Sequence, residues 1–228
     1  AHKVLGIFDD LGLLTMPVRP MERTMWERRI QRAKPYANEY DWMEMEIDGK
    51  PALERFAELG AGGFNIWRWW DVFSYTLPLG HEQRFRELVE AMHEQGLQVS
   101  PYAIGFLFGE RVPEFPYFAE DFLVEPRREW YIDRLPGLEN QMTYLACSGG
   151  SWQDWAVATS ARCMDEFGSD GVYLDTTTRP FPCRNTLHGC GFTRSDGTTG
   201  VSWPVFANRR LMKRLYTMVL SRKRDGLV

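Results

Sequence analysis

Asp175 is an acidic residue that closes an apolar segment running from Gly171 to Leu174. Short apolar runs of this kind predict a buried strand of a parallel sheet. The end of such a strand holds a carboxylate rigidly, which is what catalysis requires of a reacting group. The carboxylate could stabilise the oxocarbenium-like state of a breaking glycosidic bond while a second acid protonates the leaving oxygen. Alternatively, Asp175 caps the turn that begins at Thr176, since aspartate accepts hydrogen bonds from nearby backbone N–H groups.

Asp71 has a similar position and is the best candidate for the second acid. It follows residues 64–70, a segment in which strand alternation sends Trp67 to one face and Arg68 and Trp70 to the other. An arginine beside indole rings can orient a sugar hydroxyl or neutralise a carboxylate, and tryptophan offers a surface for stacking. The alternative is a tryptophan-rich layer between strand and helix, with Asp71 at the start of the helix.

A long loop in the second half of the chain contains Cys183, His188 and Cys190. Cysteine and histidine are ligands that zinc prefers. However, the spacing differs from that of a zinc finger or ribbon, and no C-x-x-C pair supplies a fourth ligand. A disulfide between Cys183 and Cys190, or plain loop packing, is therefore favoured, and we predict neither a metal nor a cofactor. Cys147 has no histidine nearby in the sequence to activate it, and Cys163 lies on an apolar helix face.

Apolar runs alternate with helical periods along the chain. The predicted strands are 4–8, 11–16, 64–69, 97–104, 171–175 and one that begins at 225, and the predicted helices are 52–59, 81–95, 151–167 and 206–222. Ser151 is expected to cap its helix, with Asp154 three residues further on. Such alternation predicts a parallel sheet with crossover helices, either a barrel or an open sheet.

Connection lengths distinguish these two folds. The helix-to-strand connections are short, whereas the strand-to-helix connections are long: 17–50, 70–80, 105–150 and 176–204. Long loops at the C-terminal ends of strands are where a barrel enzyme builds its site, and no glycine-rich phosphate-binding pattern supports a nucleotide-binding sheet. We therefore predict an α/β fold of the TIM-type (β/α) barrel class. Residues 1–228 are expected to form a single domain, a partial barrel truncated at the C-terminus, with a possible preceding strand within 1–10.

Composition excludes several classes of partner. The formal net charge is −4, and both signs are mixed along the chain, so there is no basic stripe for nucleic acid. No apolar run approaches the roughly 20 residues that span a bilayer, so no membrane partner is expected. Aromatic residues make up 14% of the chain, and several of them lie beside polar residues. This pattern favours a ligand that stacks on rings, as sugars do.

Six segments carry a family resemblance: LTMPVRP (14–20), VSPY (99–102), SWQD (151–154), GVYLD (171–175), PCRNTLHGCGF (182–192) and FANR (206–209). Together they resemble a group of bacterial glycoside-hydrolase-like barrels that is distantly similar to the β-N-acetylgalactosaminidases of glycoside hydrolase family 123. The resemblance implies a barrel flanked by β-sandwich modules, a glycan substrate and a substrate-assisted mechanism with an adjacent Asp-Glu pair. Here Thr176 follows Asp175, and the only Asp-Glu pair, Asp165-Glu166, lies in a predicted helix away from the expected site.

These patterns predict a glycoside hydrolase that acts on an oligosaccharide or glycoconjugate, with Asp175 and Asp71 as catalytic carboxylates. The predicted substrate-binding residues are Trp67, Arg68, Trp70, Tyr102, Arg179 and His188. Glu110 and Glu114, in the loop after the third strand, are weaker candidates. The alternatives are a non-catalytic glycan-binding barrel and a metal-dependent hydrolase built on His188 and the loop cysteines. An extracytoplasmic location, periplasmic or secreted, is favoured.

Overall fold

The computed structural model describes residues 30–32, 38–67, 72–132, 141–175, 177 and 180–228. Its strands are β1 (Ile30–Arg32), β2 (Glu46–Ile47), β3 (Lys50–Pro51), β4 (Gly63–Ile66), β5 (Gln98–Ile104), β6 (Leu107–Gly109), β7 (Glu129–Ile132), β8 (Gln141–Leu145), β9 (Tyr173–Asp175), β10 (Phe192–Thr193) and β11 (Thr199–Gly200). Its α-helices are α1 (Ala52–Glu58), α2 (Glu82–Glu94), α3 (Phe115–Phe122), α4 (Trp152–Phe167) and α5 (Val205–Arg222). Short 3-10 helices cover Glu39–Met43 and Thr186–His188.

A four-stranded parallel sheet in the order β1-β4-β5-β9 forms the centre of the molecule. Each neighbouring pair is parallel, and the strands follow one another in chain order, as they do in a barrel. Leu227 continues the series through a parallel bridge to Gly171, which agrees with the strand predicted to begin at 225. The sheet is curled into a partial barrel. The prediction of a barrel-type α/β fold is confirmed to that extent, and closure of a full TIM barrel stays a prediction.

The helices that connect these strands follow the predicted pattern. Helix α1 begins directly after Pro51, and the turns to the next strands contain the left-handed residues Gly60, Gly96 and Gly168, with φ angles of 83°, 70° and 79°. Glycine adopts this conformation without the steric penalty that a Cβ atom would bring. The helix-to-strand connections are therefore short, and all of the long connections among the described residues leave the opposite, C-terminal ends of the strands.

The two faces of the sheet differ in chemistry. Phe64, Ile66 and Val99 are almost completely buried on the face covered by helices. The ring of Phe64 lies 4.9 Å from that of Trp42 and 5.1 Å from that of Phe56 on α1. Because strand side chains alternate, the residues between them point to the other face, inside the curl of the sheet. That inner face is polar and aromatic, which suits a site rather than a simple core.

Three features depart from the sequence predictions. The connection 105–150 is not an irregular loop, because it contains α3 and the antiparallel sheet β6-β8-β7. Strand β1 lies within 17–50, which was expected to be a connection, and it pairs in parallel with β4. Ser151 does not cap α4 with its side chain, since its hydroxyl donates a hydrogen bond to the Asp121 carboxylate instead.

The predicted strands at 4–8 and 11–16 lie outside the described residues. Among the residues that are described, no helix combines the length and the apolar character needed to cross a membrane.

Candidate functional site

Asp175 is the last residue of β9 and lies at the C-terminal edge of the parallel sheet, where its strand is paired with β5. Its Oδ2 atom accepts a hydrogen bond of 2.5 Å from the Tyr102 hydroxyl. Tyr102 is buried, at 2% exposure, whereas Asp175 is partly exposed. A buried phenol thus orients a carboxylate that solvent and a ligand can reach. The structure brings these two predicted site residues together.

An aromatic row runs beside this carboxylate across three neighbouring strands. The ring of Trp67, just after β4, stacks on Tyr102 with a centroid separation of 3.8 Å and an interplanar angle of 15°. Tyr102 in turn stacks on Tyr173 at 5.4 Å and 25°. The three rings thus form a continuous aromatic layer on the inner face of the sheet beside Asp175. Trp67 is the third predicted site residue that joins this constellation.

Glu39 is a carboxylate at the same place that the sequence did not indicate. It is completely buried, and its Oε1 atom accepts a hydrogen bond of 2.5 Å from the Trp67 backbone N–H. A buried carboxylate is costly unless it is hydrogen-bonded, so this contact fixes the chain where it leaves β4. Residues 21–50 show no clear period and many charges, and nothing in that pattern distinguishes Glu39 from its solvated neighbours.

Four of the predicted site residues, Asp71, Arg68, Trp70 and Arg179, lie outside the described residues. Of the weaker candidates, Glu110 accepts a hydrogen bond of 2.8 Å from the Tyr144 hydroxyl, and Glu114 accepts one of 3.2 Å from the Tyr75 hydroxyl. Burial, and secondarily Glu114, raises the pKa of Tyr75 to about 12. Tyr75 therefore stays a neutral donor at any physiological pH.

His188 belongs to a second cluster, in which it meets Cys147, Cys183 and Cys190. One ligand atom from each of the four residues lies within 4.8 Å of the others. All three cysteines are buried free thiols, so the disulfide between Cys183 and Cys190 is not formed. Cys147 comes from the connection after β8 and completes a set that the spacing of the loop alone could not.

The four side chains of this cluster influence one another. Interaction with Cys147, and secondarily with His188, lowers the pKa of Cys183 against the effect of burial. The same interaction with Cys183, together with burial, raises the pKa of Cys147.

Asp170 lies at the opposite, N-terminal end of β9 and has a full set of partners. It accepts hydrogen bonds from His93 Nε2 at 2.8 Å, Lys223 Nζ at 2.6 Å and the Val99 N–H at 2.7 Å. Burial alone would raise the pKa of Asp170, but these three donors outweigh it and lower the pKa below the usual value. This carboxylate links α2, β5 and the residue after α5, and its role is structural.

The Asp165-Glu166 pair lies in α4, as predicted, where each acid meets an arginine. Asp165 accepts bonds of 2.7 and 2.8 Å from Arg222, and Glu166 accepts bonds of 2.8 and 3.1 Å from Arg162. These exposed ion pairs lower the pKa of both acids. Neither acid is available to the sheet edge where Asp175 lies.

Several solved structures share the fold of this chain. The cycloisomaltooligosaccharide glucanotransferase of Paenibacillus sp., complexed with cycloisomaltoheptaose, is 12% identical with a TM-score of 0.55, over 88% of this chain and 30% of its own. The α-galactosidase of Lactobacillus brevis is 11% identical with a TM-score of 0.55, over 87% of this chain and 26% of its own. The cycloalternan-forming enzyme of Listeria monocytogenes, in complex with a pentasaccharide substrate, is 12% identical with a TM-score of 0.53, over 89% of this chain and 21% of its own.

The chain thus spans less than a third of the length of each of these three structures. The structural neighbours are glycoside hydrolases and glycosyl transferases, and at such low identity the likeness shows a shared fold. No curated protein is significantly similar to the chain. A family model, that of the domain of unknown function DUF6259, matches residues 22–214, and the chain belongs to that family.

Proposed function

We propose that the chain carries the catalytic carboxylate of a carbohydrate-active enzyme that breaks glycosidic bonds, and that this carboxylate is Asp175. The observation that carries the proposal is the placement of Asp175 at the C-terminal end of a barrel-type strand, oriented by the buried Tyr102 hydroxyl at 2.5 Å. The row of stacked rings beside it suits a sugar ligand. Similarity in fold to hydrolases and transferases of glycans supports the same proposal.

The proposed reaction is a double displacement at the anomeric carbon. An oxygen of Asp175 attacks that carbon, the bond to the leaving oxygen breaks, and an acid gives a proton to the leaving group. Water or a sugar hydroxyl then displaces Asp175, returning a proton to the same acid and releasing a hydrolysis or transfer product. We assign the acid to Asp71, which follows Trp67 by four residues in the sequence, in the connection after β4.

The substrate-binding role is assigned to the aromatic and basic residues around this edge. Trp67 would border the sugar that is cleaved, and the buried Tyr102 would orient Asp175 beside it. Arg68, Trp70 and Arg179 would bind the hydroxyl groups of the sugar. Thr176 occupies the place where the adjacent acid of family 123 would stand, so the substrate-assisted mechanism has no second carboxylate there. We therefore favour Asp175 as a nucleophile over a purely polarising role.

A glycoside screen tests the proposal. Aryl α-glucosides, α-galactosides and β-N-acetylgalactosaminides, together with isomaltooligosaccharides, would be offered to the wild-type protein and to Asp175→Asn. We expect turnover of at least one substrate by the wild type and its loss in the variant. Asp165→Asn is the matched control, because it removes an exposed helix carboxylate and should keep full activity. An Asp175→Asn protein that is folded and as active as the wild type would contradict the assignment.

A further inference from the structure

The cluster of Cys147, Cys183, His188 and Cys190 is assembled from two long connections that leave the C-terminal edge of the sheet. Cys147 ends the connection that follows β5, and the other three residues lie in the connection that follows β9. The two segments are also joined through the backbone of Arg184, whose N–H donates to the Glu125 carbonyl at 2.8 Å. The cluster is therefore formed by tertiary structure and not by one local turn.

The distances match the edges of a tetrahedral metal site. With metal–sulfur bonds of about 2.3 Å and metal–nitrogen bonds of about 2.0 Å, tetrahedral angles place two sulfurs about 3.8 Å apart and sulfur and nitrogen about 3.5 Å apart. Cys147 Sγ lies 3.7 Å from Cys190 Sγ, and Cys183 Sγ lies 3.6 Å from His188 Nδ1. All four ligand atoms lie within 4.8 Å of one another, so one ion could contact all of them after small side-chain movements.

The hydrogen bond of His188 fixes which ring nitrogen faces the sulfurs. Nε2 lies 2.5 Å from the Asp121 carbonyl oxygen, which can only accept, so Nε2 carries the proton. In a neutral imidazole, Nδ1 then has its lone pair directed to the cysteine side, where Cys183 Sγ lies. Donation of the remote N–H to a backbone carbonyl is the arrangement that orients most metal-bound histidines.

The last carbonyl groups of α3 accept hydrogen bonds from residues in and beside the cluster. The Glu120, Asp121 and Phe122 carbonyls have no partner within the helix, as at any helix C-terminus. They accept hydrogen bonds from the Asn185 side chain at 3.1 Å, from His188 Nε2, and from the Cys147 N–H at 2.8 Å. The C-terminal end of α3 thus fixes the position of Cys147 relative to Asn185 and His188.

Backbone N–H groups are aimed at the sulfur atoms as well. Cys183 Sγ accepts from Asn185 at 3.3 Å and from Glu125 at 3.4 Å, and Cys147 Sγ accepts from Gly149 at 3.3 Å. Such donors stabilise thiolates and commonly surround metal-bound sulfur. They are not needed by an apolar thiol that only fills space.

Gly149 and Gly150 allow the backbone to approach the cluster closely. A Cβ atom on Gly149 would lie 2.9 Å from Cys190 Sγ, and one on Gly150 would lie 2.6 Å from the His188 ring. Both contacts are shorter than side chains normally tolerate. Glycine at these two positions therefore allows the backbone to lie directly against the cluster.

We propose that Cys147, Cys183, His188 through Nδ1, and Cys190 bind one zinc ion in a closed, four-ligand site. Four protein ligands leave no open position for water, so the ion is structural and not catalytic. It ties together the connections that follow β5 and β9, the strands that carry Tyr102 and Asp175. The ion therefore stabilises these two connections at the C-terminal edge of the sheet. The zinc proposal does not depend on the carbohydrate activity proposed above.

Metal content and cobalt substitution test the site on the purified wild-type protein. We expect about one equivalent of zinc per chain, and replacement by Co²⁺ should give the visible ligand-field and sulfur charge-transfer bands of tetrahedral thiolate coordination. Chelation should lower the Tm by several degrees, since the metal binds only the folded chain. Zinc-free protein whose Co²⁺ spectrum lacks those bands would overturn the proposal, and so would a disulfide between any two of the three cysteines.

Cysteine variants assign the ligands. Cys147→Ala and Cys190→Ala should each lose stoichiometric zinc, whereas Cys163→Ala should keep it. Cys163 is the matched control because it is equally buried, at 1% exposure, but lies on α4 outside the cluster. Full zinc content in Cys147→Ala would overturn the four-ligand set. If that variant does not fold, the spectrum of the cobalt-loaded wild type decides alone, because the number of thiolates sets the intensity of its charge-transfer band.

Discussion

The segment that contains β9 has an aspartate at each end, and the surroundings of these two residues differ sharply. Asp170, at its N-terminal end, is 5% exposed and receives hydrogen bonds from His93, Lys223 and the Val99 N–H. Asp175, at its C-terminal end, is partly exposed and is oriented by the Tyr102 hydroxyl beside stacked aromatic rings. Both carboxylates belong to the segment 170–175, whose last three residues form β9, and they differ in what surrounds them.

The difference separates a carboxylate that holds the fold together from one suited to react. Asp170 joins three elements through charged and backbone donors, and any movement would leave a buried charge without partners. Asp175 is held by an O–H donor from a buried ring and borders the long connections, which in barrels build the site. Replacement of the two residues should therefore affect different measurable properties.

The largest expected effect is on turnover in Asp175→Asn. The asparagine keeps the shape and can still accept the Tyr102 hydrogen bond, so the Tm should change little. Loss of the nucleophile should lower kcat by at least about a thousandfold on the best substrate from the screen. Parallel losses of activity and Tm would show that Asp175 is structural, like Asp170.

The next effect is on stability in Asp170→Asn. The hydrogen bonds from His93 and Lys223 lose the negative charge of their acceptor, so the free energy of unfolding should fall by about 2 to 4 kcal/mol. Chemical denaturation measures it. Asp165→Asn is the control, since its ion pair with Arg222 is exposed and should be worth less than about 1 kcal/mol. Equal losses in the two variants would remove the distinction between the buried and the exposed pair.

A smaller effect is expected from Tyr102→Phe, which keeps the ring stack and removes the hydroxyl on Asp175. A hydrogen bond to a charged group is worth about 1.5 to 3 kcal/mol, so kcat should fall about 10- to 100-fold. Tyr173→Phe removes a hydroxyl from the next ring of the row and should leave kcat nearly unchanged. Similar kcat values for Tyr102→Phe and the wild type would show that the Tyr102–Asp175 contact does not contribute to catalysis.

The smallest effect concerns acid stability. Because the pKa of Asp170 is lowered in the folded state, its stabilisation is complete above the unfolded value of about 3.9 and is lost as the pH falls through the folded value. The stability difference between the wild type and Asp170→Asn should shrink as the pH falls below about 4. Denaturation curves from about pH 5 to pH 2 measure this difference, and a difference that grows as the pH falls through that range would contradict the assignment.

The sequence pattern predicted β9 and helices α2, α4 and α5 well, because each has its own periodicity and a glycine or strand boundary beside it. The sheet β6-β8-β7 could not be predicted, since Leu107 pairs with Leu145 across a long stretch of chain and neither strand shows that partner locally. Strand β1 has only three residues, too few to show a period.

The site was predicted in the same uneven way. Asp175, Tyr102 and Trp67 were predicted because each lies in or directly after an apolar strand, near its C-terminal end. The burial of Glu39 depends on where the Trp67 backbone comes to lie, and the approach of Cys147 to Cys190 depends on the pairing of distant connections. Local sequence reports which face of an element is buried, and it does not report which distant residue covers it.

Azide rescue of Asp175→Gly is the most direct test of Asp175 as the nucleophile. Azide would enter the space left by the carboxylate and attack the anomeric carbon of an activated aryl glycoside, whose phenolate leaves without help from an acid. We expect azide to restore turnover of the variant and to yield a glycosyl azide of inverted configuration. A folded variant that azide cannot rescue, beside a wild type that turns over the same glycoside, would contradict it.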